Sequence, residues 1–199
     1  MYFDSDNAGP VPDQIIEALK AANTGYQRAY GRDTIMADVR SSLREIFEAP
    51  EAAVYLVGTG TAANALALAT LSQPWQTIFC SPVSHIQEDE CNAPEFFSSG
   101  AKLTLIKCDD KITRDALRAA VVTQGNRGVH GAQRGPLSLT QTTEKGTLYS
   151  LKELRALTEI TKSYEIPVHM DGARFANALV SLGCSAAEMT WKSGIHALS

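Results

Sequence analysis

The sequence predicts an α/β fold in which a mostly parallel sheet is flanked by helices. Short apolar runs alternate along the 199 residues with longer segments whose apolar residues recur at helical spacing. Each interval between two runs is long enough for the helical crossover that parallel strands require. The hydrophobic content of 44% and the charged content of 20% are those of a globular domain that can bury a continuous core.

The first two predicted elements are helices with one apolar face each. The earlier helix has Pro12 near its first turn and ends around Gly25, and its apolar stripe consists of Ile15, Ile16, Leu19 and Ala22. The later helix starts after Asp33, which is suited to be its N-cap, and ends before Pro50. Its stripe consists of Ile35, Val39, Leu43 and Ile46.

Six apolar runs predict strands. The first, Ala53–Val57, is continuous and ends at Gly58, which is typical of a strand buried on both faces. The last lies within Gly194–Ser199. The four between them are Thr77–Cys80, Leu103–Ile106, Pro136–Leu139 and Pro167–Met170.

Helical segments separate these runs. Two of them begin with Ser-x-x-Glu, the spacing of a capping box, in which the serine and glutamate side chains accept from free amides at the helix start. The two boxes are Ser150 with Glu153 and Ser185 with Glu188. Further helices are predicted over Thr61–Leu71 and Arg114–Thr123.

Charge and cysteine content restrict the class of protein. The 18 basic and 22 acidic residues give a net charge of −4, which argues against a dedicated nucleic-acid binder. The four cysteines form no Cys-x-x-Cys pair, so we expect a reducing compartment. The N-terminus lacks the features of a signal peptide, and the most apolar stretch, Ala62–Leu71, is too short to span a bilayer. We therefore expect one soluble, cytoplasmic domain over residues 1–199, without nucleic-acid or membrane partners.

The first candidate site is the glycine-rich turn Gly58–Asn64, between a predicted strand and a predicted helix. Such a turn directs backbone N–H groups and the helix dipole at an anion. It also matches the dinucleotide fingerprint G-x-G-x-x-A, but no acidic residue lies between Ala52 and Gln87 to bind the ribose. The hydroxyls of Thr59 and Thr61 suit a single phosphate better, and a plain tight turn is the alternative.

The second candidate is His85, which follows a predicted strand and precedes the acidic residues Glu88, Asp89 and Glu90. This spacing is not that of a metalloprotease, and adjacent acids are usually solvated, so we expect no metal. A histidine at the carboxyl end of a parallel strand is well placed to contact a ligand, because ligands bind at that edge of an open α/β sheet.

The third candidate is the pair Asp171 and Arg174, at the end of a predicted strand. One interpretation is a structural ion pair without a functional role. Alternatively, the carboxylate can hold a protonated ring nitrogen and the guanidinium can bind a substrate carboxylate. With the phosphate-binding turn and a histidine beside the ring, these groups suit pyridoxal phosphate, for which a lysine would complete the set.

The sequence resembles the threonine aldolases, within the beta-eliminating lyases of the fold-type I pyridoxal-phosphate enzymes. The resemblance covers nearly the whole chain. It implies that the 199 residues are an N-terminal segment and most of a large, cofactor-binding domain. The motifs that carry it are Ser5–Asn7, Ala29–Asp33, Gly58–Asn64, His85 with Glu90, Ala93–Phe97, Ser138–Gln141, Gly146–Ser150 and His169–Arg174.

The resemblance implies cleavage of L-threonine or L-allo-threonine to glycine and acetaldehyde by a homodimer or homotetramer. It implies that Tyr30 reaches into the site of a neighbouring subunit. It also implies that His85 stacks on the cofactor ring and acts as a base, and that Asp171 binds the ring nitrogen. The remaining implied roles are phosphate binding by Thr59, Gly60 and Thr61, and binding of the substrate carboxylate and cofactor edge by Arg174 and Ser5.

The resemblance also implies an incomplete site. In this family the Schiff-base lysine belongs to a stretch whose first residue corresponds to Ser199, and a small C-terminal domain follows. We therefore expect that the large domain is incomplete here and that the small domain is absent. The alternative to an active lyase is a catalytically inactive, truncated remnant.

Overall fold

A computed structural model of the chain describes residues 9–199. Two compact units are distinguished, one ending at Ser42 and the other comprising Leu43–Ser199. The interpretation of residues 1–199 as one domain stays a prediction.

Two helices begin the described chain. Helix α1 is Asp13–Ala22 and helix α2 is Thr34–Ile46, as the apolar stripes predicted. The amide of Met36 donates to Asp33 Oδ1 at 2.8 Å, so the predicted N-cap is confirmed. The stripe of α1 is not buried, since the side chain of Leu19 is 62% exposed.

The predicted parallel sheet is confirmed, with five strands. The strand order is β2-β1-β3-β4-β5, and every neighbouring pair is parallel. From β1 the chain passes to β2 on one side and then returns to β3 on the other side of β1, so the strand order reverses between β1 and β3. In open α/β sheets, ligands bind at such a reversal, outside the carboxyl ends of the strands. The strands are β1 Gln76–Cys80, β2 Lys102–Leu105, β3 Gln133–Thr140, β4 Val168–Asp171 and β5 Ala197–Leu198.

Helices connect the strands and cover both faces of the sheet. They are α3 Gly60–Leu71, α4 His85–Glu88, α5 Ala93–Phe97, α6 Arg114–Gly125, α7 Leu151–Ser163, α8 Phe175–Leu182 and α9 Ala186–Met189. Single 3₁₀ turns lie at Gly128–His130 and Trp191–Ser193. Within residues 9–199, no helix is both long enough and apolar enough to cross a bilayer.

Side-chain alternation divides the core between the two faces. Phe79 belongs to the larger apolar cluster, with the inward residues of α6 and α7, whereas its neighbours Ile78 and Cys80 belong to a smaller cluster with Leu68 of α3. Successive strand residues point to opposite faces, so one strand serves both clusters. Helix α3 therefore packs on the face opposite α6 and α7.

The predicted strand at Ala53–Val57 is wrong. The segment has no strand assignment in the described structure, and Tyr55 and Leu56 are 85% and 71% exposed. A strand is defined by main-chain hydrogen bonds to a neighbour, which an apolar run cannot supply by itself. The described sheet accordingly has five strands instead of six.

Both predicted capping boxes are confirmed. At the start of α7, the amide of Glu153 donates to Ser150 Oγ at 3.2 Å, and the amide of Ser150 donates to Glu153 Oε2 at 2.8 Å. Lys111 Nζ lies 2.6 Å from Glu153 Oε1, and its hydrogen bond lowers the pKa of Glu153 to about 2. This capping keeps the start of α7 in place above the larger cluster.

We expect Ser150→Ala to lower the free energy of unfolding by about 1 kcal/mol, because the amide of Glu153 loses its acceptor at the helix start. Urea denaturation measures this change. Ser163→Ala, at the other end of α7, is the matched control: its hydroxyl donates to the Ile160 carbonyl, a bond with little net value. Equal losses in the two variants would contradict the capping role.

Candidate active site

The candidate site lies where strand ends meet the first turn of α3. Asp171 is the last residue of β4, and His85 begins α4 shortly after β1 ends. Asn64, in the second turn of α3, bonds to Asp171. The start of α3 therefore lies at the carboxyl edge of the sheet, where the resemblance expects a phosphate.

The start of α3 is exposed, and its geometry suits an anion. Thr59 is its N-cap, and Thr59 Oγ1 accepts from the amide of Ala62 at 3.1 Å. The amides of Gly60 and Thr61 belong to the first turn, where helix geometry provides no acceptor. A Cβ built on Gly60 would meet no atom within 4 Å, so a ligand can approach the backbone closely there.

Asp171 is buried, with 5% of its surface exposed, and both carboxylate oxygens accept hydrogen bonds. Oδ1 accepts from the amide of Ala173 at 3.0 Å, and Oδ2 accepts from Asn64 Nδ2 at 3.1 Å. These bonds fix the carboxylate at the end of the strand, as a group that must hold a ring nitrogen requires.

Asn64 joins Asp171 to the histidine of the site. Its Nδ2 also donates to Glu90 Oε1 at 2.6 Å, and the same oxygen lies 2.8 Å from His85 Nδ1. Glu90 is 3% exposed, and among residues 9–199 its other oxygen, Oε2, has no hydrogen-bond partner. The buried carboxylate therefore depends on Asn64 and His85 for its hydrogen bonds.

The environment of His85 favours its protonated form. Partial burial acts to lower the pKa of His85, but the hydrogen bond with Glu90 and the charges of Glu90, Asp171 and Glu144 outweigh it, so the pKa is raised above 6.5. Because Nδ1 bonds to Glu90, Nε2 is the nitrogen that can exchange a proton with a ligand. The ring is 39% exposed.

A second histidine, His169, lies deeper. It is fully buried, with Nδ1 2.9 Å from Ser138 Oγ and Nε2 2.9 Å from Ser199 Oγ. Burial lowers the pKa of His169 to about 4, against the opposing charge of Asp171. His169 is therefore neutral at physiological pH.

Arg174 is the N-cap residue of α8, and its Nη1 lies 3.4 Å from Glu144 Oε2. Burial raises the pKa of Glu144 above its ordinary value, although the charge of Arg174 opposes that rise. The guanidinium is thus in contact with a carboxylate, the chemical group that the resemblance expects it to bind in a substrate.

Five of the predicted site residues lie at this edge of the sheet. They are Thr59, Gly60, Thr61, His85 and Asp171. Tyr30 belongs to the other unit, where it has a φ of 63° and is 93% exposed. Ser5 lies outside the described residues. Among residues 9–199, no group of three His, Cys, Asp or Glu side chains is placed to hold a metal ion.

The sequence alone does not identify the polar residues that connect the site. Asn64, Glu90, Ser138 and His169 belong to the motifs that carry the family resemblance, but neither they nor Ser199 are predicted site residues. One signal was available: Leu137-Ser138-Leu139-Thr140 and Val168-His169-Met170-Asp171 alternate apolar and polar residues. Alternation in a strand buried on both faces indicates a polar network on one of them.

Comparisons with known proteins identify the family of the chain. The beta-eliminating lyase family matches residues 3–195. The chain is 41% identical to a low-specificity L-threonine aldolase of Pseudomonas aeruginosa, over 98% of this chain and 56% of that protein. Threonine aldolase of Leishmania major superposes with a TM-score of 0.85 at 26% identity, over 92% of this chain and 53% of that one. A PLP-bound C–S lyase of Staphylococcus hominis, at 13% identity over 80% of this chain and 39% of that one, has a TM-score of 0.52 and shows the shared fold alone.

The fold is therefore that of the fold-type I enzymes. The chain belongs to the beta-eliminating lyase family, and its resemblance to the threonine aldolases is confirmed. The chain spans about half the length of the curated relatives it matches.

We expect Glu90→Gln to lower the pKa of His85, because the variant removes the charge and weakens the hydrogen bond that raise it. Histidine NMR titration of the folded chain measures this pKa. Glu144→Gln removes only a smaller, more distant charge effect and should lower the pKa less. The opposite order would contradict the assigned pairing.

The same pair makes stability depend on pH. A raised folded-state pKa means that the stabilisation is fully present below the unfolded pKa and is lost as the pH rises through the folded one. In Glu90→Gln this dependence should be weaker.

Proposed function

We propose that the protein carrying this chain is a pyridoxal-phosphate-dependent lyase that cleaves L-threonine or L-allo-threonine to glycine and acetaldehyde. One observation carries the proposal: Asp171 and His85 lie at one edge of the sheet and are connected through Asn64 and Glu90. A fixed carboxylate and a carboxylate-paired imidazole are the groups that a pyridine cofactor and a proton transfer need. Family membership supports the same chemistry.

The residues present fit the cofactor. The first turn of α3 offers free amides and the hydroxyl of Thr61, and the open space at Gly60 admits a phosphate against the backbone. The carboxylate of Asp171 would hold the protonated ring nitrogen, and His85 would lie against the ring. Pyridoxal phosphate, when bound, supplies an electron sink for carbon–carbon cleavage.

Arg174 would bind the substrate carboxylate with its paired donors. Glu144 already contacts that guanidinium, so an incoming carboxylate would have to share or displace this partner. Ser5 is proposed to assist at the substrate carboxylate and cofactor edge.

The chain's own residues can move the proton that the reaction requires. The β-hydroxyl of threonine loses its proton, the Cα–Cβ bond breaks, acetaldehyde leaves, and Cα regains a proton to give glycine. His85 Nε2 would accept the hydroxyl proton, and Glu90 would stabilise the resulting imidazolium through Nδ1.

We further propose a cytoplasmic homodimer or homotetramer, in which Tyr30 contributes to a neighbouring subunit's site. The high exposure of Tyr30 and its left-handed backbone support this role. Four free cysteines, one of them exposed, support a reducing compartment. The alternative, an inactive remnant, is distinguished by ligand binding and by acetaldehyde release.

We expect Thr61→Val to weaken the binding of pyridoxamine phosphate by about tenfold, because one donor to the phosphate is lost. This probe has no aldehyde, so it cannot react with surface lysines. Calorimetric titration of the chain measures the affinity. Thr70→Val, on an exposed turn of the same helix, is the matched control. Equal affinity in Thr61→Val and the parent would contradict the phosphate site.

In the whole protein, we expect Arg174→Lys to raise the KM for L-threonine by about tenfold, because a lysine cannot offer paired donors. Acetaldehyde release from L-threonine and L-allo-threonine measures the reaction. An unchanged KM would make Arg174 a structural partner of Glu144. No release by the parent protein would support the inactive remnant.

A further inference from the structure

A buried chain of hydrogen bonds runs through the site on the face of the sheet that α3 covers. It starts at Ser138 of β3, passes through His169 of β4 to Ser199, and reaches Asn64 of α3, with heavy-atom distances of 2.9, 2.9 and 2.5 Å. From Asn64 it branches to Asp171 and Glu90, as described above. Only the last members touch the proposed cofactor site.

The direction of these bonds follows from the chemistry of the two ends. Ionised carboxylates only accept, so Asn64 Nδ2 uses both of its protons on Asp171 and Glu90. The remaining amide atom, Asn64 Oδ1, must accept from Ser199 Oγ. A hydroxyl has one proton to donate, so Ser199 Oγ accepts in turn from His169.

This argument fixes the tautomer of His169. Nε2 carries the proton, because it donates to Ser199 Oγ. A neutral imidazole then has a bare Nδ1, which accepts from Ser138 Oγ. Every hydrogen bond in the chain therefore donates toward the carboxylates.

We propose that Asn64 is a positioning residue that holds the carboxylates of Asp171 and Glu90 in place as hydrogen-bond acceptors, and that His169, as its Nε2–H tautomer, sets the orientation of the Asn64 amide through Ser199. The proposal rests on the proposed function, because it assigns Asp171 to the ring nitrogen of the cofactor. It adds a group, remote from the cofactor, that controls the two carboxylates together.

Other charged groups lie near Asp171, and a ligand without a ring nitrogen separates their effect on binding from that of the hydrogen-bond network. His85 of α4, Glu144 before α7 and His169 of β4 interact electrostatically with Asp171. Glu90 shares the donor Asn64 with Asp171, and Arg174 contacts Glu144.

The first experiment is nitrogen NMR of the histidines in the ligand-free chain. We expect His169 to be neutral, with the proton on Nε2, at neutral pH. An Nδ1–H tautomer or a protonated ring at neutral pH would contradict the direction that we assign to these hydrogen bonds. This result does not depend on cofactor binding.

The second experiment measures the affinity for pyridoxamine phosphate across pH. A carboxylate that loses a donor takes up a proton at higher pH. In Asn64→Leu we expect the acidic loss of binding to move to higher pH by about one unit. The ring analogue with CH in place of nitrogen should show no such movement. Asn177→Leu, at an exposed position of α8, is the control.

Ser199→Ala provides a milder variant that retains Asn64, in case Asn64→Leu does not fold. It should move the acidic loss of binding in the same direction by a smaller amount and change the NMR signature of His169. An unchanged pH profile in a folded variant would overturn the proposal. Absence of ligand binding by the parent polypeptide would overturn the proposed function. The tautomer of His169 would still decide the direction of the hydrogen bonds.

Discussion

Two buried carboxylates constrain the rest of this structure. Asp171 and Glu90 expose 5% and 3% of their surfaces, and an ionised carboxylate removed from water is costly unless donors replace the solvent. Asn64 supplies a donor to each of them. Helix α3 must therefore begin where it does, with its second turn against the end of β4, and this same placement directs its first turn toward the proposed phosphate.

Side-chain alternation along the strands separates the apolar core from the polar site. On β4, Val168 and Met170 pack in the larger apolar cluster, while His169 and Asp171 face α3. One short strand thus contributes to the hydrophobic core with half of its residues and to the polar site with the other half. A register shift by one residue would exchange the two sets and destroy both.

Local chemistry explains which features the sequence could predict. Both capping boxes and the cap at Asp33 depend on residues three positions apart, so the sequence contains all of their information. The parallel sheet was predictable from alternating elements. The prediction of a strand at Ala53–Val57 was wrong, because strand pairing depends on a neighbouring strand that no local pattern specifies.

The hydrogen-bond network of the site could not be predicted from the sequence, because its members are distant from one another along the chain. Ser199 and Asn64 are 135 positions apart, and Asn64 and Asp171 are 107 apart. Residue types at strand ends identified Asp171 and His85 as candidates, but the residue that joins them is visible only in three dimensions. The family resemblance predicted the participants and left their connection open.

The central claim is that Asp171, held by this network, keeps a pyridine nitrogen protonated. The most direct test is the ring-nitrogen NMR shift of ¹⁵N-labelled pyridoxamine phosphate bound to the chain, followed across pH and compared with Asp171→Asn. The account predicts a protonated ring nitrogen in the bound parent at pH values where the free ligand is already neutral, and loss of that difference in Asp171→Asn. A bound ligand that titrates as it does free in solution would contradict the account.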